Sequence, residues 1–244
     1  MTKATEAPWL GGKLKLAQPA NSYRVAIDAA FLAAAVSLTE GGRALELGTG
    51  VGAAAMALAV RIPSARIDAV ELQTPLAELA RWNVTANGLE DRVRILESDL
   101  LDWRYDAGAY DAVFLNPPYL KAGEADPSPD PVKRIATEEG QATLGDWLKA
   151  AAHGAKTGAR VTLIHRADRL ADALQAFAAA GAGGLSITPL WPKLGAAASR
   201  VIVRGRKGKG GRLTLGPGLV LHQPDGAYTP EAAAILEGRA ALDG

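Results

Sequence analysis

An apolar run, Tyr110-Asp111-Ala112-Val113-Phe114-Leu115, stops at Asn116-Pro117-Pro118-Tyr119. Proline has no backbone N–H to give to a sheet ladder, so the strand that this run predicts must end at Pro117. Asn116 is therefore held at a sheet edge. Upstream, Glu46-Leu47-Gly48-Thr49-Gly50-Val51-Gly52 follows a second apolar run and precedes a helix-like stretch. Its glycines let the backbone turn tightly and let a ligand approach it closely. A chain with both features must place two polar turns at the ends of strands.

The remaining segments alternate between strand-like and helix-like, which predicts an α/β fold with helices on both faces of a seven-stranded, mostly parallel sheet. The strands are expected at Arg43 to Gly48, Ala65 to Leu72, Arg92 to Glu97, Tyr110 to Leu115, Ala159 to His165, Leu185 to Leu190 and Arg200 to Gly205. Helices are expected at Val51 to Val60, Pro75 to Ala86, Leu144 to Ala155 and Arg169 to Ala180, and a loop over Gly123 to Pro131. Leu14 to Val36 holds a short strand and a helix. Leu219 to His222 is a further short strand, with a turn at Pro224-Asp225-Gly226 and a helix from Pro230. The expected organisation is an extension over residues 1–40 that covers the cofactor site, a catalytic domain over 41–210, and an extension over 211–244 packed on that domain.

The chain has 244 residues, a net charge of +1 and no cysteine. Disulfides, thiolate metal sites and cysteine nucleophiles are excluded. No basic-then-apolar leader opens the chain, and no apolar stretch approaches the ~18 residues of a membrane span. The expectation is a cytoplasmic protein without metal, monomeric or homodimeric. Charge is uneven: Gln175 to His222 holds no Asp or Glu, but holds Lys193, Arg200, Arg204, Arg206, Lys207, Lys209 and Arg212. This stretch is either a solvated edge strand guarded by its cations or a phosphate-contacting surface.

Glu71 ends the second strand of the glycine-turn unit, where a carboxylate can accept hydrogen bonds from both hydroxyls of a ribose. Thr49 sits inside the glycine turn and Leu72 follows Glu71. Asp99, with Leu100 beside it, ends the third strand and suits an adenine amine. Glu46 selects among adenosine-containing cofactors. A carboxylate there suits the cationic amino-acid end of S-adenosylmethionine and would repel the pyrophosphate of a nicotinamide cofactor, which disfavours a reductase.

The Asn-Pro-Pro-Tyr turn suits a planar NH2 group. The Asn116 side-chain carbonyl and the carbonyl of Pro117 can accept both hydrogens, letting the nitrogen become tetrahedral with its lone pair aimed at a methyl carbon. Positioning then carries the catalysis and no strong base is needed. Tyr119 can stack on a flat acceptor, with Pro118 beside it. Lys133, Arg134 and Thr137 follow the next loop and are candidate acceptor contacts, as are Arg204, Arg206 and Lys207. Asp28 either caps the first helix or reaches the cofactor pocket. His165 is expected to be structural. Trp82, Trp103, Trp147 and Trp191 are expected to pack.

On these residues the chain resembles a Rossmann-like class I methyltransferase of the tRNA adenine-N6 type, a group that modifies an adenine beside the anticodon of a valine tRNA. The resemblance runs from Gly11-Gly12-Lys13-Leu14 through Gln18-Pro19, Tyr23-Arg24, Ile27-Asp28-Ala29, the glycine turn, Ala69-Val70-Glu71-Leu72 and Asn116-Pro117-Pro118-Tyr119 to Arg200-Val201-Ile202-Val203. It implies cofactor contacts at Glu46, Gly48, Gly50, Glu71 and Asp99, and amine-holding roles for Asn116, Pro117 and Tyr119. Thr49, Gly52, Leu72, Leu100 and Asn116, the last in both roles, complete the expected cofactor set. The expected activity is S-adenosylmethionine-dependent N-methylation of an exocyclic amine, with adenine N6 in tRNA or another structured RNA first. The alternatives are a protein glutamine, a small-molecule amine, or a non-catalytic RNA-binding role. Release-factor glutamine methyltransferases share the Asn-Pro-Pro-Tyr turn but carry a helical domain ahead of the cofactor unit, where this chain has only a short N-terminal stretch.

Overall fold

The computed structural model describes residues 4–20, 27–102, 107–119 and 142–243. Tyr23, Arg24, Trp103, the Gly123 to Pro131 loop, Lys133, Arg134 and Thr137 lie outside them.

Five parallel strands form the centre of the main sheet: β3 (Arg43–Leu47), β4 (Arg66–Glu71), β5 (Val93–Glu97), β6 (Tyr110–Leu115) and β7 (Ala155–Arg166). β9 (Arg200–Lys207) runs antiparallel between β7 and β8 (Ala182–Lys193). These are the seven strands expected from the sequence, in the order β5-β4-β3-β6-β7-β9-β8. Two short strands that pair with β8, β10 (Thr214–Leu215) and β11 (Leu219–His222), widen the sheet to nine. A separate antiparallel hairpin joins β1 (Ala4–Trp9), which sequence reading missed, to β2 (Leu14–Pro19).

Helices cover both faces, and the strands alternate accordingly. Ala112 and Phe114 of β6 face one core with α1 (Asp28–Ala35), α2 (Ala53–Arg61) and α3 (Thr74–Ala86), whereas Val113 and Leu115 face the other with α4 (Leu144–Gly154) and α5 (Leu170–Ala179). α6 (Pro230–Leu236) joins the first core through Ala232 and Ile235. Among the described residues no helix is long and apolar enough to cross a membrane.

The hairpin is docked by side chains that act as a substitute strand. Asn83 of α3 accepts from the Ala17 N–H (2.8 Å) and donates to the carbonyls of Ala17 (3.0 Å) and Val51 (2.9 Å). Asn87 does the same for Lys15 (2.9 and 2.8 Å). Buried backbone groups that no sheet reaches are satisfied in this way. At the other terminus, the Leu242 N–H bonds the Ala34 carbonyl (2.9 Å), so the segment after α6 packs on α1.

Candidate active site

A cavity of about 490 Å³ opens at the carboxyl ends of β3, β4, β5 and β6, where ligands of open α/β sheets bind. Its floor is the turn after β3. Gly48 and Gly50 hold φ of +71° and +59°, which disfavour any side chain. A Cβ at Gly48 would also lie 2.6 Å from Cη2 of Trp147. Trp147 is therefore a wall of the cavity, presented by α4. Gly52 has a different task from the cofactor contact expected of it. It caps α2 with φ +86° and packs against Ala80 of α3, and it does not line the cavity.

Glu46 is almost wholly buried, and Thr49 Oγ1 donates to its Oε2 at 2.6 Å. Burial pushes its carboxyl up to about 7, against the Thr49 hydrogen bond. Glu71 accepts the Gly50 N–H on Oε2 and the Gln73 N–H on Oε1, both at 2.9 Å. Burial raises this carboxyl too, opposed by those N–H groups. Asp99 Oδ1 accepts the Leu101 N–H at 2.8 Å. The lining includes Glu46, Glu71 and Asp99 but no Lys or Arg among the described residues. Three carboxylates without a cation suit a positively charged ligand such as S-adenosylmethionine and are wrong for a pyrophosphate. Thr49, Leu72 and Leu100 also face the cavity.

Asn116 follows β6, whose Leu115 is in register with Leu47 of β3 and Leu163 of β7. Its Oδ1 is buried and has no hydrogen-bond partner among the described residues. An unsatisfied buried acceptor costs about 1–3 kcal/mol, so this atom is set up to receive a donor from a ligand. Asn116 and Pro118 line the cavity, whereas Pro117 and Tyr119 do not.

Tyr119 is not a free platform. Its hydroxyl donates to Asp28 Oδ2 at 2.6 Å, and Cζ of Arg200 lies over its ring, 4.6 Å from the centroid. Asp28 neither caps α1 with its side chain nor lines the cavity; Ala29 lines it instead. His165 is fully buried, and its Nδ1 accepts the Arg166 N–H at 2.9 Å. Burial, then the Arg169 charge, pushes the imidazole down to about 4, so it is neutral near pH 7.

Within the basic stretch, the expectation for Arg204 needs correction. Arg204 is buried and cannot contact phosphate: its Nε, NH1 and NH2 donate to the Ala35 carbonyl (3.0 Å), Thr188 Oγ1 (2.8 Å) and the Leu242 carbonyl (2.7 Å). Its alternating position on a strand covered on both faces turns it inward. Because β9 runs antiparallel, Arg200 pairs with Arg166 at the cavity end, whereas Arg206 pairs with Arg160 at the far end. Six residues of strand put Arg206 and Lys207 roughly 20 Å from that edge. The two bond the Gly158 carbonyl (3.1 Å) and the Ala155 carbonyl (2.8 Å) respectively. Trp147 and Ser98 are lining residues that sequence reading missed; only the position of Ser98 beside Asp99 could have signalled either.

Residues 22–138 match the family of the methyltransferase small domain. The chain is 31% identical to a tRNA1(Val) (adenine(37)-N6)-methyltransferase of Aeromonas hydrophila, over 85% of this chain and 86% of that protein. It is 38% identical to a release factor glutamine methyltransferase of Rhodopirellula baltica, but over only 37% of this chain and 31% of that protein. Among solved structures, a predicted O-methyltransferase of Agrobacterium tumefaciens superimposes with a TM-score of 0.73 at 29% identity, covering 88% of this chain and 98% of that one.

Proposed function

This chain belongs to the family of tRNA1(Val) (adenine(37)-N6)-methyltransferases and is an S-adenosylmethionine-dependent methyltransferase, and from that premise we propose that it methylates an exocyclic amine, adenine N6 in a structured RNA, with tRNA the first candidate. The observation that carries the amine is the buried, unpartnered Oδ1 of Asn116 beside a cavity walled by carboxylates.

Bound S-adenosylmethionine supplies an electrophilic methyl group. Glu46, Glu71 and Asp99 hold the cofactor by its charge, hydroxyls and amine. Asn116 Oδ1 and the Pro117 carbonyl accept the two N–H bonds of the acceptor, and this draws the nitrogen lone pair out of conjugation and toward the methyl carbon. The nitrogen lone pair would form the N–C bond while the electrons of the broken S–C bond stay on the cofactor's sulfur, and the methylated nitrogen would then lose one proton to water. Orientation supplies the rate, so no general base is required. An adenine must leave its stack to reach this edge, which favours a loop or a flipped base.

The test is transfer of labelled methyl groups from S-adenosylmethionine to RNA and protein extracts of a host lacking this gene. Label recovered from RNA as N6-methyladenosine supports the reading. Label in protein supports the second reading, glutamine methylation, which the shared Asn-Pro-Pro-Tyr turn also suits. The first reading is supported by the extent of the likeness, which takes in 85% of this chain for the tRNA enzyme and 37% for the glutamine enzyme.

A further inference from the structure

Three elements far apart in the chain meet around the ring of Tyr119. Asp28 opens α1 and is 5% exposed. Its Oδ2 accepts both the Tyr119 hydroxyl (2.6 Å) and Arg200 Nε (3.1 Å), 172 residues away. The Arg200 guanidinium also lies over the Tyr119 ring. His165 meets that ring at 60°, with centroids 5.3 Å apart. Arg169 NH1 donates to the Tyr119 carbonyl at 3.3 Å. A carboxylate this deeply buried is tolerated only because two donors share it.

Neither Asp28 nor Arg200 lines the cavity, whereas Asn116 and Pro118 do. We propose that Asp28 and Arg200 clamp the Tyr119 ring and thereby fix the backbone from Asn116 to Tyr119 in the geometry of methyl transfer, which makes them positioning residues; this rests on the N-methyltransferase reading above. Prolines 117 and 118 fix two φ angles of the turn, but ladder hydrogen bonds end with β6. The far end of the turn needs its own anchor. Without it, the Pro117 carbonyl and Asn116 Oδ1 drift relative to the methyl carbon, and displacements near 1 Å cost about a hundredfold in rate. The anchor must be arginine, because a flat guanidinium can stack on the ring and bond the carboxylate at once, whereas lysine offers a point charge. Arg200 also takes one ring face, so a flat acceptor has at most the other.

The test compares Arg200→Lys, Asp28→Asn and the double variant by steady-state kinetics, cofactor calorimetry and thermal melting. Each single variant is expected to lose about tenfold in kcat with cofactor Kd within about twofold, and the double is expected to be no worse than the worse single, because the two act as one unit. Additive losses overturn the clamp. So does a rise in KM for RNA at unchanged kcat, which makes Arg200 a plain substrate contact. So does a joint fall of melting temperature and cofactor affinity, which makes the cluster merely structural. Should the wild-type protein methylate no RNA, the acceptor reading fails, and the clamp is judged by 19F spectra of protein carrying 3-fluorotyrosine. The Tyr119 resonance, identified by its absence in Tyr119→Phe, is expected to shift in Arg200→Lys. An unmoved resonance overturns the proposal.

Discussion

Two ends of one strand, β4, carry buried acids with opposite fates. Asp68, near the amino end, is saturated: Arg94 Nε (2.9 Å), Arg43 NH2 (3.3 Å) and the Tyr110 hydroxyl (2.8 Å) all donate to it. Glu71, at the carboxyl end, has one backbone N–H on each oxygen and faces a cavity. The larger concavity, about 640 Å³, belongs to the Asp68 end. Size is therefore a poor guide. Among the described residues, the candidate functional end is where carboxyl groups gather with no Lys or Arg in the lining and where Asn116 Oδ1 has no donor. At the other end arginines outnumber the carboxylates, and Arg43 and Arg94 pair with Asp68.

The strongest way to break this contrast is Asn116→Ala. Methyl transfer is expected to fall by about a hundredfold or more while cofactor Kd, read by calorimetry, stays within about threefold; equal losses in both would sink the amine-holding role of Asn116. Next comes Gly48→Ala. Its Cβ collides with Trp147, and the left-handed backbone adds strain of about 1–2 kcal/mol. Melting temperature and cofactor affinity should fall together, and unchanged affinity would remove Trp147 as a cavity wall.

A third prediction uses pH. Glu46 titrates at about 7, and only its charged form attracts a cation. Cofactor affinity is expected to fall by up to about tenfold between pH 8 and pH 6, and Glu46→Gln should flatten that profile. The stability of the cofactor-free protein moves the other way. A carboxyl raised from 4.5 to about 7 favours the folded state at low pH, and that contribution is lost as pH rises through 7. A pH-independent Kd in the wild type would detach Glu46 from the cofactor. The smallest effect is expected at the far edge. Arg206→Glu with Lys207→Glu should change RNA affinity less than about threefold at any salt concentration, measured by filter binding. A steep, salt-dependent loss would show that RNA reaches around to the paired end and would dissolve the contrast.

The strands and the site edge were legible because proline and glycine act locally: a missing N–H and a missing Cβ mean the same thing in any fold. Glu46, Glu71 and Asp99 were legible because parallel strands deliver their carboxyl ends to one edge. Arg204 misled because a run of cations reads alike whether each side chain points outward or, like this one, into a core sealed by Ala35, Thr188 and Leu242. Trp147 and the Asp28–Arg200 pair were invisible for another reason. Their partners are set by how α4 and β9 close on the turns, and no local pattern encodes that closure.

Asn83 holds the Ala17 backbone with both ends of its carboxamide, Oδ1 accepting the N–H and Nδ2 donating to the carbonyl, and the same Nδ2 also bonds the Val51 carbonyl of the glycine turn. That single planar group makes the outer hairpin and the inner turn share one fate on the timescale of amide exchange. A ligand that quiets the turn is therefore expected to slow exchange of the Ala17 amide. The hairpin is thus a remote gauge of occupancy for a cavity it does not touch.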